Sequence, residues 1–492
     1  MKRIFYLLML LPFGLFGQND FVRHIINADG EVTFWRGTQK LWVSSITCYH
    51  VKTGGNDALD GLTDATAWET IAKVNGSTFQ PGDRILFNKG DTWIGRLNVP
   101  SSGSAINPII FGNYGTGANP IIDADEGETR CISVSGKSYI TINGIDCENA
   151  TDIGIGGDNT GSHIIVQNLT ISDIGTGDVE ASGIAGLGGY SNVNHCTITN
   201  IAHYGIALTG GNNIFTYNDV SYTNASYDGW GAGIYITGTD DGSEISYNTI
   251  HDNGGVGLAG STHGVYQDVG ATNTLIHHNI VTNSSKGAGI KIDGSMDVYC
   301  NYVTNSLWAA FEVGFNAANA VTINIYNNIT TENRQGVGQL SQGAGAFTLN
   351  IKNNTFYLDD NSTDSMDEIR LEDDINASLV IENNIIYANA DRHAYYMPTQ
   401  SHAVINNNCI YGPTGLAIYY NAAQRSWATW QSYGFDVNGV NADPLLVGGD
   451  PYDYSLDTGS TAINAGMNTG ITTDYYGNPR VGNYDIGAIE KQ

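Results

Sequence analysis

An asparagine recurs in one local setting along more than half of the chain, and this recurrence restricts the fold to a stack of similar units. It falls in ITINGID (Asn143), VQNLTIS (Asn168), TYNDVSY (Asn218), SYNTIHD (Asn248) and HHNIVTN (Asn279). It continues in YCNYVTN (Asn301), YNNITTE (Asn328), KNNTFYL (Asn354), ENNIIYA (Asn384) and NNNCIYG (Asn408), while His195 of VNHCTIT fills the slot between Asn168 and Asn218. Successive positions lie 22 to 31 residues apart. A period in the twenties, built from short β-rich runs and Gly-rich turns, marks a solenoid. The longest steps accommodate loops on individual turns.

Each repeat reads as one coil of a parallel β-helix. Stacked coils place like residues above like residues, about 4.8 Å apart. An Asn at a repeated bend then hydrogen-bonds up and down the stack, and it tolerates the left-handed backbone that most residues resist. Parallel β connections are strongly right-handed. The expected fold is all-β: a single-domain, right-handed parallel β-helix of about 11 or more coils with an N-terminal cap.

Residues 1–17, MKRIFYLLMLLPFGLFG, have a basic start, an apolar stretch and a small residue before Gln18, the pattern of a secretory signal peptide too short to span a bilayer. No later stretch is apolar enough for a membrane span, so the expected location is extracellular or periplasmic. The formal net charge of -28 argues against nucleic acid and anionic membrane as partners. It also disfavours a polyanionic substrate unless basic residues gather locally. Six cysteines (48, 131, 147, 196, 300, 409) show no metal-ligand spacing; Cys131 and Cys147 either pair or remain buried thiols.

Residues 18–47 do not fit the repeat and read as a leader. Residues 48–130 read as the cap and first coils, 131–425 as the helix core, and 426–492 as the last coils and C-terminal cap. Trp68 to Val74 is the best short-helix candidate, placed to plug the open end of the solenoid and cover its strand edges. The opening carries a Gly-Gly-Asn-Asp turn (Gly54 to Asp57) with Asp60-Gly61, Trp68, Thr70-Ile71, Pro81-Gly82-Asp83 and Asn107-Pro108-Ile109. The end carries WATWQSYGFDVNG, NADP, DYSL, STAINAG and DYYGNPRVGNYDIGAIE. In both stretches the chain resembles secreted bacterial right-handed β-helix polysaccharide-degrading enzymes, the pectate-lyase-like superfamily. That resemblance implies fold, secretion and a polysaccharide substrate, but the group includes both lyases and hydrolases. Arg480 and Asp485 in the tail read as a structural ion pair.

Strands GIYIT (233–237), GVYQD (264–268), GIKID (289–293), AFEVG (310–314) and, further on, EIRLE (368–372) align beside the Asn repeat. Alternate residues of a strand point to opposite sides. One outward column then reads Tyr235, Tyr266, Lys291, Glu312 and Arg370; a second reads Thr237, Asp268, Asp293 and Glu372. His263 enters the same strand as Tyr266, and Gln267 is a polar residue on the core side. The earlier strands GIAGL and GIALT expose Ala185, Leu187, Ala207 and Thr209, so charge appears on this face only in the middle coils. This contrast places the candidate site near residues 263–312.

The preferred chemistry is glycoside hydrolysis, with Asp268 and Asp293 as an acid/base pair on adjacent coils and Glu312 assisting. Tyr235, Tyr266 and Trp308 would offer stacking platforms for sugar rings, Arg370 would bind substrate, and His263 would bind a hydroxyl or tune Asp268. The alternative is a polysaccharide lyase, with Lys291 or His263 taking the proton α to a uronate carboxyl and Ca²⁺ held by the carboxylates. A second alternative is a non-catalytic glycan-binding surface. The residues assign no cofactor, Ca²⁺ is compatible with the carboxylates, and no metal ligand set is defined; the expected state is a monomer. His203 reads as a turn residue. His277 and His278 point to opposite sides, and the acidic run 359–368 reads as an exposed loop that rims the cleft or binds Ca²⁺.

Overall fold

The computed structural model describes residues 22–26, 32–36, 39–44, 46–175, 180–224, 230–255, 261–314, 320–339, 346–358, 367–372, 378–388, 393–399, 402–412, 418–448 and 453–492. The signal-peptide reading of residues 1–17 and most of the acidic run 359–368 lie outside them. Three long parallel sheets run the length of the molecule. The first has 14 strands from Cys48–Val51 to Ala403–Asn406, and the second 13 from Thr92–Ile94 to Cys409–Tyr411. The third has 14, from Leu97–Asn98 to Ala423–Arg425, the last of which turns back antiparallel on Ile418–Tyr420. Each coil contributes one strand to each sheet, as Glu244–Ser246, Thr249–His251 and Thr262–Gln267 do in turn. Three strands, β1 (Val22–Ile26), β2 (Val32–Arg36) and β3 (Gln39–Ser44), form a separate antiparallel sheet, which explains why they do not fit the repeat.

The interior is a set of aligned apolar columns. In the first sheet, Phe215, Ile245, Ile276, Val298, Ile325, Ile351, Ile381 and Ile405 stack one above another and are all buried. Burying each such side chain stabilises the fold by about 1.5–3 kcal/mol. The corner into the third sheet is a glycine column because the chain there passes close to the second sheet. A Cβ on Gly264 would sit 2.4 Å from Val281 Cγ1, and one on Gly289 would sit 2.3 Å from Val303 Cγ1.

The corner between the first and second sheets carries the asparagine ladder. Asn218, Asn248, Asn279, Asn301, Asn328, Asn354, Asn384 and Asn408 are all buried. Each Oδ1 after the first accepts both the backbone N–H and the Nδ2 of the Asn one coil earlier. Asn279, for example, donates both to Asn301 at 3.0 Å. Its Nδ2 also donates to the carbonyl of Ile245 at 2.9 Å. The ladder ends on Asp436, whose Oδ1 accepts from Asn408 Nδ2 at 2.8 Å and whose Oδ2 accepts from Trp430 Nε1 at 3.0 Å. A carboxylate suits this terminus because it only accepts; its burial pushes its pKa up to about 6.

Three expected rungs are corrected. The inward slots of the early coils hold Ile145, Leu169 and Cys196, in register with Asn218 and its successors. Asn168 and His195 instead occupy the left-handed residue just before the slot (φ 57° and 53°), where Gly144 also sits, and Asn143 precedes that. Asn168 and Asn143 bond to each other on the exposed side at 2.8 Å. From Asn327 onward the left-handed column is again asparagine, and it docks the C-terminal tail. Asn327, Asn383 and Asn407 donate to the carbonyls of Thr473, Met467 and Ala465, and Asn353 accepts from Thr469 Oγ1.

Two further corrections concern single residues. Leu187 is buried, because Gly186 turns through φ +68° and breaks the in–out alternation. Arg480 is structural, but its ion-pair partner is Glu490 at 3.1 Å; it meets Asp485 through the backbone carbonyl. The short helix is Ile71–Asn75, capped by Thr70, with Ile71, Val74 and the preceding Trp68 packed into the main core. All six cysteines are free thiols. Among the described residues no helix is long and apolar enough to cross a membrane.

The ladder gives a sharp contrast between two asparagines. Asn301→Ala strands the two donors of Asn279 and the carbonyls that Asn301 serves, so it should cost about 3 kcal/mol in urea denaturation. Asn168→Ala, on the exposed side, should cost less than about 0.5 kcal/mol. Equal effects would contradict the corrected register.

Candidate active site

The third sheet brings the predicted column together in register: Ala185, Ala207, Tyr235, Tyr266, Lys291 and Glu312. Core-facing Ile234, Val265, Ile290 and Phe311 hold these strands from behind, so the outward side chains are fixed at coil spacing. The first three large members close a pocket of about 310 Å³, whose wall includes Tyr235, Tyr266 and Lys291. Tyr204, Trp230, His203 and Glu180 complete it. Tyr204 stacks on Tyr235 with centroids 4.5 Å apart, and Trp230 is more than half exposed. His203 was expected as a turn residue; it adjoins the strand Tyr204–Leu208, and its Nε2 donates to the Trp230 carbonyl, so it also fixes the aromatic wall.

Lys291 is the centre of the cluster. Its ammonium is 3.3 Å from Asp293 Oδ2 and lies over the rings of Tyr266 (4.5 Å) and Trp230 (5.0 Å). Asp268 directly follows the adjacent strand, Thr262–Gln267. Its Oδ2 accepts from the Tyr235 hydroxyl at 2.9 Å, and its Oδ1 accepts from the Val269 N–H at 2.8 Å and faces the Tyr266 hydroxyl at 3.5 Å. The two aspartates are therefore one side chain removed from the pocket, each bonded to a wall residue.

Burial governs the titration of this cluster. Asp293 is 6% exposed, and its pKa is pushed up to about 6 by desolvation, with Lys291 opposing and Asp268 assisting. Glu312, 2% exposed, is pushed up to about 7 by desolvation, again opposed by Lys291, and its Oε1 has no hydrogen-bond partner. Desolvation also raises the Tyr235 and Tyr266 phenols, helped by the nearby aspartates. Taking a charge out of water is the common cause.

The remaining predicted residues sit elsewhere. His263 is fully buried behind the pocket; its Nδ1 accepts the Ala288 N–H at 3.1 Å, and burial with Lys291 nearby lowers its pKa to about 3. Trp308 packs edge-on against His263 with centroids 6.4 Å apart and does not line the pocket. Arg370 lies two coils beyond Glu312, across Gly338, where Asp367 and Glu372 engage its guanidinium and Tyr396 lies beneath it at 4.3 Å. His277 and His278 bring their Nδ1 atoms within 2.8 Å, although adjacent residues were expected to diverge, because His278 is left-handed at φ 56°. Among the described residues no group of three or more His, Cys, Asp or Glu side chains is placed to hold a metal ion.

Sequence alignment missed Tyr204, Trp230 and Glu180. Tyr204 shares a column with His263, one residue before the glycine from which the strands were aligned, so extending the alignment by one position would have found it. Trp230 and Glu180 come from connections that carry no coil register.

These coils define a right-handed β-helix protein. The family described as "Right handed beta helix region" matches residues 130–306 and 232–428, more than half of the chain, and the chain belongs to that family. No curated protein matches the chain. Among solved structures, the chain is similar to XylC in complex with xylose (12% identity, 90% of this chain and 98% of that one, TM-score 0.52). It is similar also to pectate lyase Pel9A (16% identity, 90% and 96%, TM-score 0.47). A third is the GH136 lacto-N-biosidase of Eubacterium ramulus (16% identity, 80% of this chain, TM-score 0.44), of which the chain spans 66% of the length. At these identities the likeness is one of fold.

The raised carboxyls link stability to pH. Folded values above the ordinary 3.8 and 4.5 mean that the folded chain keeps protons the unfolded chain has released. The stability they contribute is present below about pH 4 and is lost as pH rises through about 6 for Asp293 and about 7 for Glu312. Glu312→Gln, which mimics the protonated acid, should match wild type at pH 4 and exceed it by about 3 kcal/mol at pH 8 in urea titrations. Coincident curves at both pH values would show that Glu312 is not held as a buried acid.

Proposed function

We propose that this chain is a secreted glycoside hydrolase that cleaves a polysaccharide at the pocket of the middle coils. The reading is carried by the contrast between Asp268 and Asp293. Asp293 is buried and near half-protonated at pH 6, which suits a proton donor to the departing glycosidic oxygen. Asp268 is partly exposed and held by the Tyr235 hydroxyl and a backbone N–H, an acceptor arrangement that suits the second carboxylate. Two carboxyls in unlike surroundings are the signature of divided acid and base roles. Lys291 fixes Asp293 through the ion pair, and Tyr204, Trp230, Tyr235 and Tyr266 give the pocket the aromatic walls that sugar rings pack against. Glu312 touches no wall residue by hydrogen bond and acts by supplying a second buried acid beside the Lys291–Asp293 pair.

One observation favours β-elimination: Lys291 is the lysine that lines the pocket. To act as a base it would have to leave Asp293 and give up its place between two rings. His263 is less suited still, since its Nδ1 lone pair is taken by the Ala288 N–H.

Asp268→Asn and Asp293→Asn should each lower kcat by about 10²–10⁴ on the polysaccharide that a substrate panel identifies, with thermal midpoints retained. Full activity in both variants would remove the site. Products absorbing in the ultraviolet through a new C4–C5 double bond, lost only in Lys291→Ala, would establish elimination in place of hydrolysis.

A further inference from the structure

We infer that the pocket selects uncharged sugar residues and rejects uronates; this rests on the glycan-binding part of the reading above and not on hydrolysis. Among the described residues one lysine or arginine, Lys291, faces the pocket, and it is already paired with Asp293 at 3.3 Å and covered by the faces of Trp230 and Tyr266. Among the described residues the other acidic groups at or next to the wall are Glu180 on the rim and Asp268 and Asp293 behind the tyrosines. His203, the other basic side chain of the wall, is lowered by burial and donates its Nε2 proton to the Trp230 carbonyl.

A uronate carboxylate entering this space would meet more negative groups than positive ones, in surroundings where charges are poorly screened. Among the described residues it would meet no guanidinium or ammonium at the wall other than the paired Lys291 to replace its lost water. A neutral pyranose loses nothing of that kind. Its apolar face packs on the aromatic wall, and its hydroxyls find an acceptor in Glu180 and polar partners in the tyrosine phenols. The acidic net charge of the chain acts in the same direction at longer range. Arg370 does not alter the count, because it lies two coils beyond Glu312 and its guanidinium is engaged by Asp367 and Glu372. Lys291 is therefore a positioning residue for Asp293 and a floor for the rings, not a receptor for a substrate carboxylate.

The test is calorimetric binding at pH 7.5 to full-length Asp268→Asn, which should not turn over substrate and has already lost one repelling charge. The probes are neutral hexasaccharides (xylo-, cello-, manno- and laminarihexaose) and the uronates hexagalacturonate and hexamannuronate. At least one neutral probe should bind, Trp230→Ala should weaken it tenfold or more, and both uronates should bind at least 100-fold more weakly. Asp293→Asn, which leaves Lys291 without its partner, should raise uronate affinity at least tenfold. The inference is overturned if a uronate binds as tightly as the best neutral probe and loses that binding in Trp230→Ala, or if no neutral probe binds. Neutral binding by a wild-type protein that leaves the same glycans whole would keep the inference and remove the hydrolase reading.

Discussion

Everything in this molecule depends on the regular stacking of one coil on the next, and the buried asparagine corner enforces that stacking. A backbone bend inside a solenoid leaves amide groups away from water, where an unmade hydrogen bond is costly. The Asn side chain meets that need, because its oxygen accepts from the coil before while its Nδ2 donates to neighbouring carbonyls. Repeated from Asn218 to Asn408, these bonds fix both spacing and register. A slip of one residue would turn the Ile and Val columns outward and drive Lys291 and Glu312 into the core.

Register is also what builds the site. Tyr266, Lys291 and Glu312 are far apart in sequence, yet they occupy one column because their strands pair residue for residue. Coil spacing brings ionisable groups closer than a surface would normally tolerate. Burial then makes Asp293 and Glu312 hold their protons more tightly, pushing both pKa values up. The same stacking spaces the aromatic rings of the pocket wall at contact distance.

The sequence showed this column well, because the middle strands of the third sheet begin with a small residue followed by a buried apolar one: Gly233-Ile234, Gly264-Val265, Gly289-Ile290 and Ala310-Phe311. It showed the ladder well from Asn218 onward. It misled at the first three rungs, where Asn143, Asn168 and His195 sit beside the inward slot, not in it. The left-handed residue and the inward residue are neighbours, and asparagine suits both, so composition alone does not separate them. Trp230 and Glu180 were not legible because they reach the pocket from connections whose paths no repeat specifies. The partner of Arg480 was misassigned for a similar reason: the tail folds back along the solenoid, and its pairings follow from that docking, not from proximity in sequence.

The central claim is that the middle coils use their carboxyls to cleave a glycosidic bond with water. It is tested most directly by digesting the polysaccharide in H₂¹⁸O and weighing the products. Hydrolysis predicts one ¹⁸O at each newly formed reducing end, with the labelled product absent when Asp293→Asn replaces the wild-type protein. Unlabelled products that are lighter by one water, and that carry an unsaturated end, would contradict it.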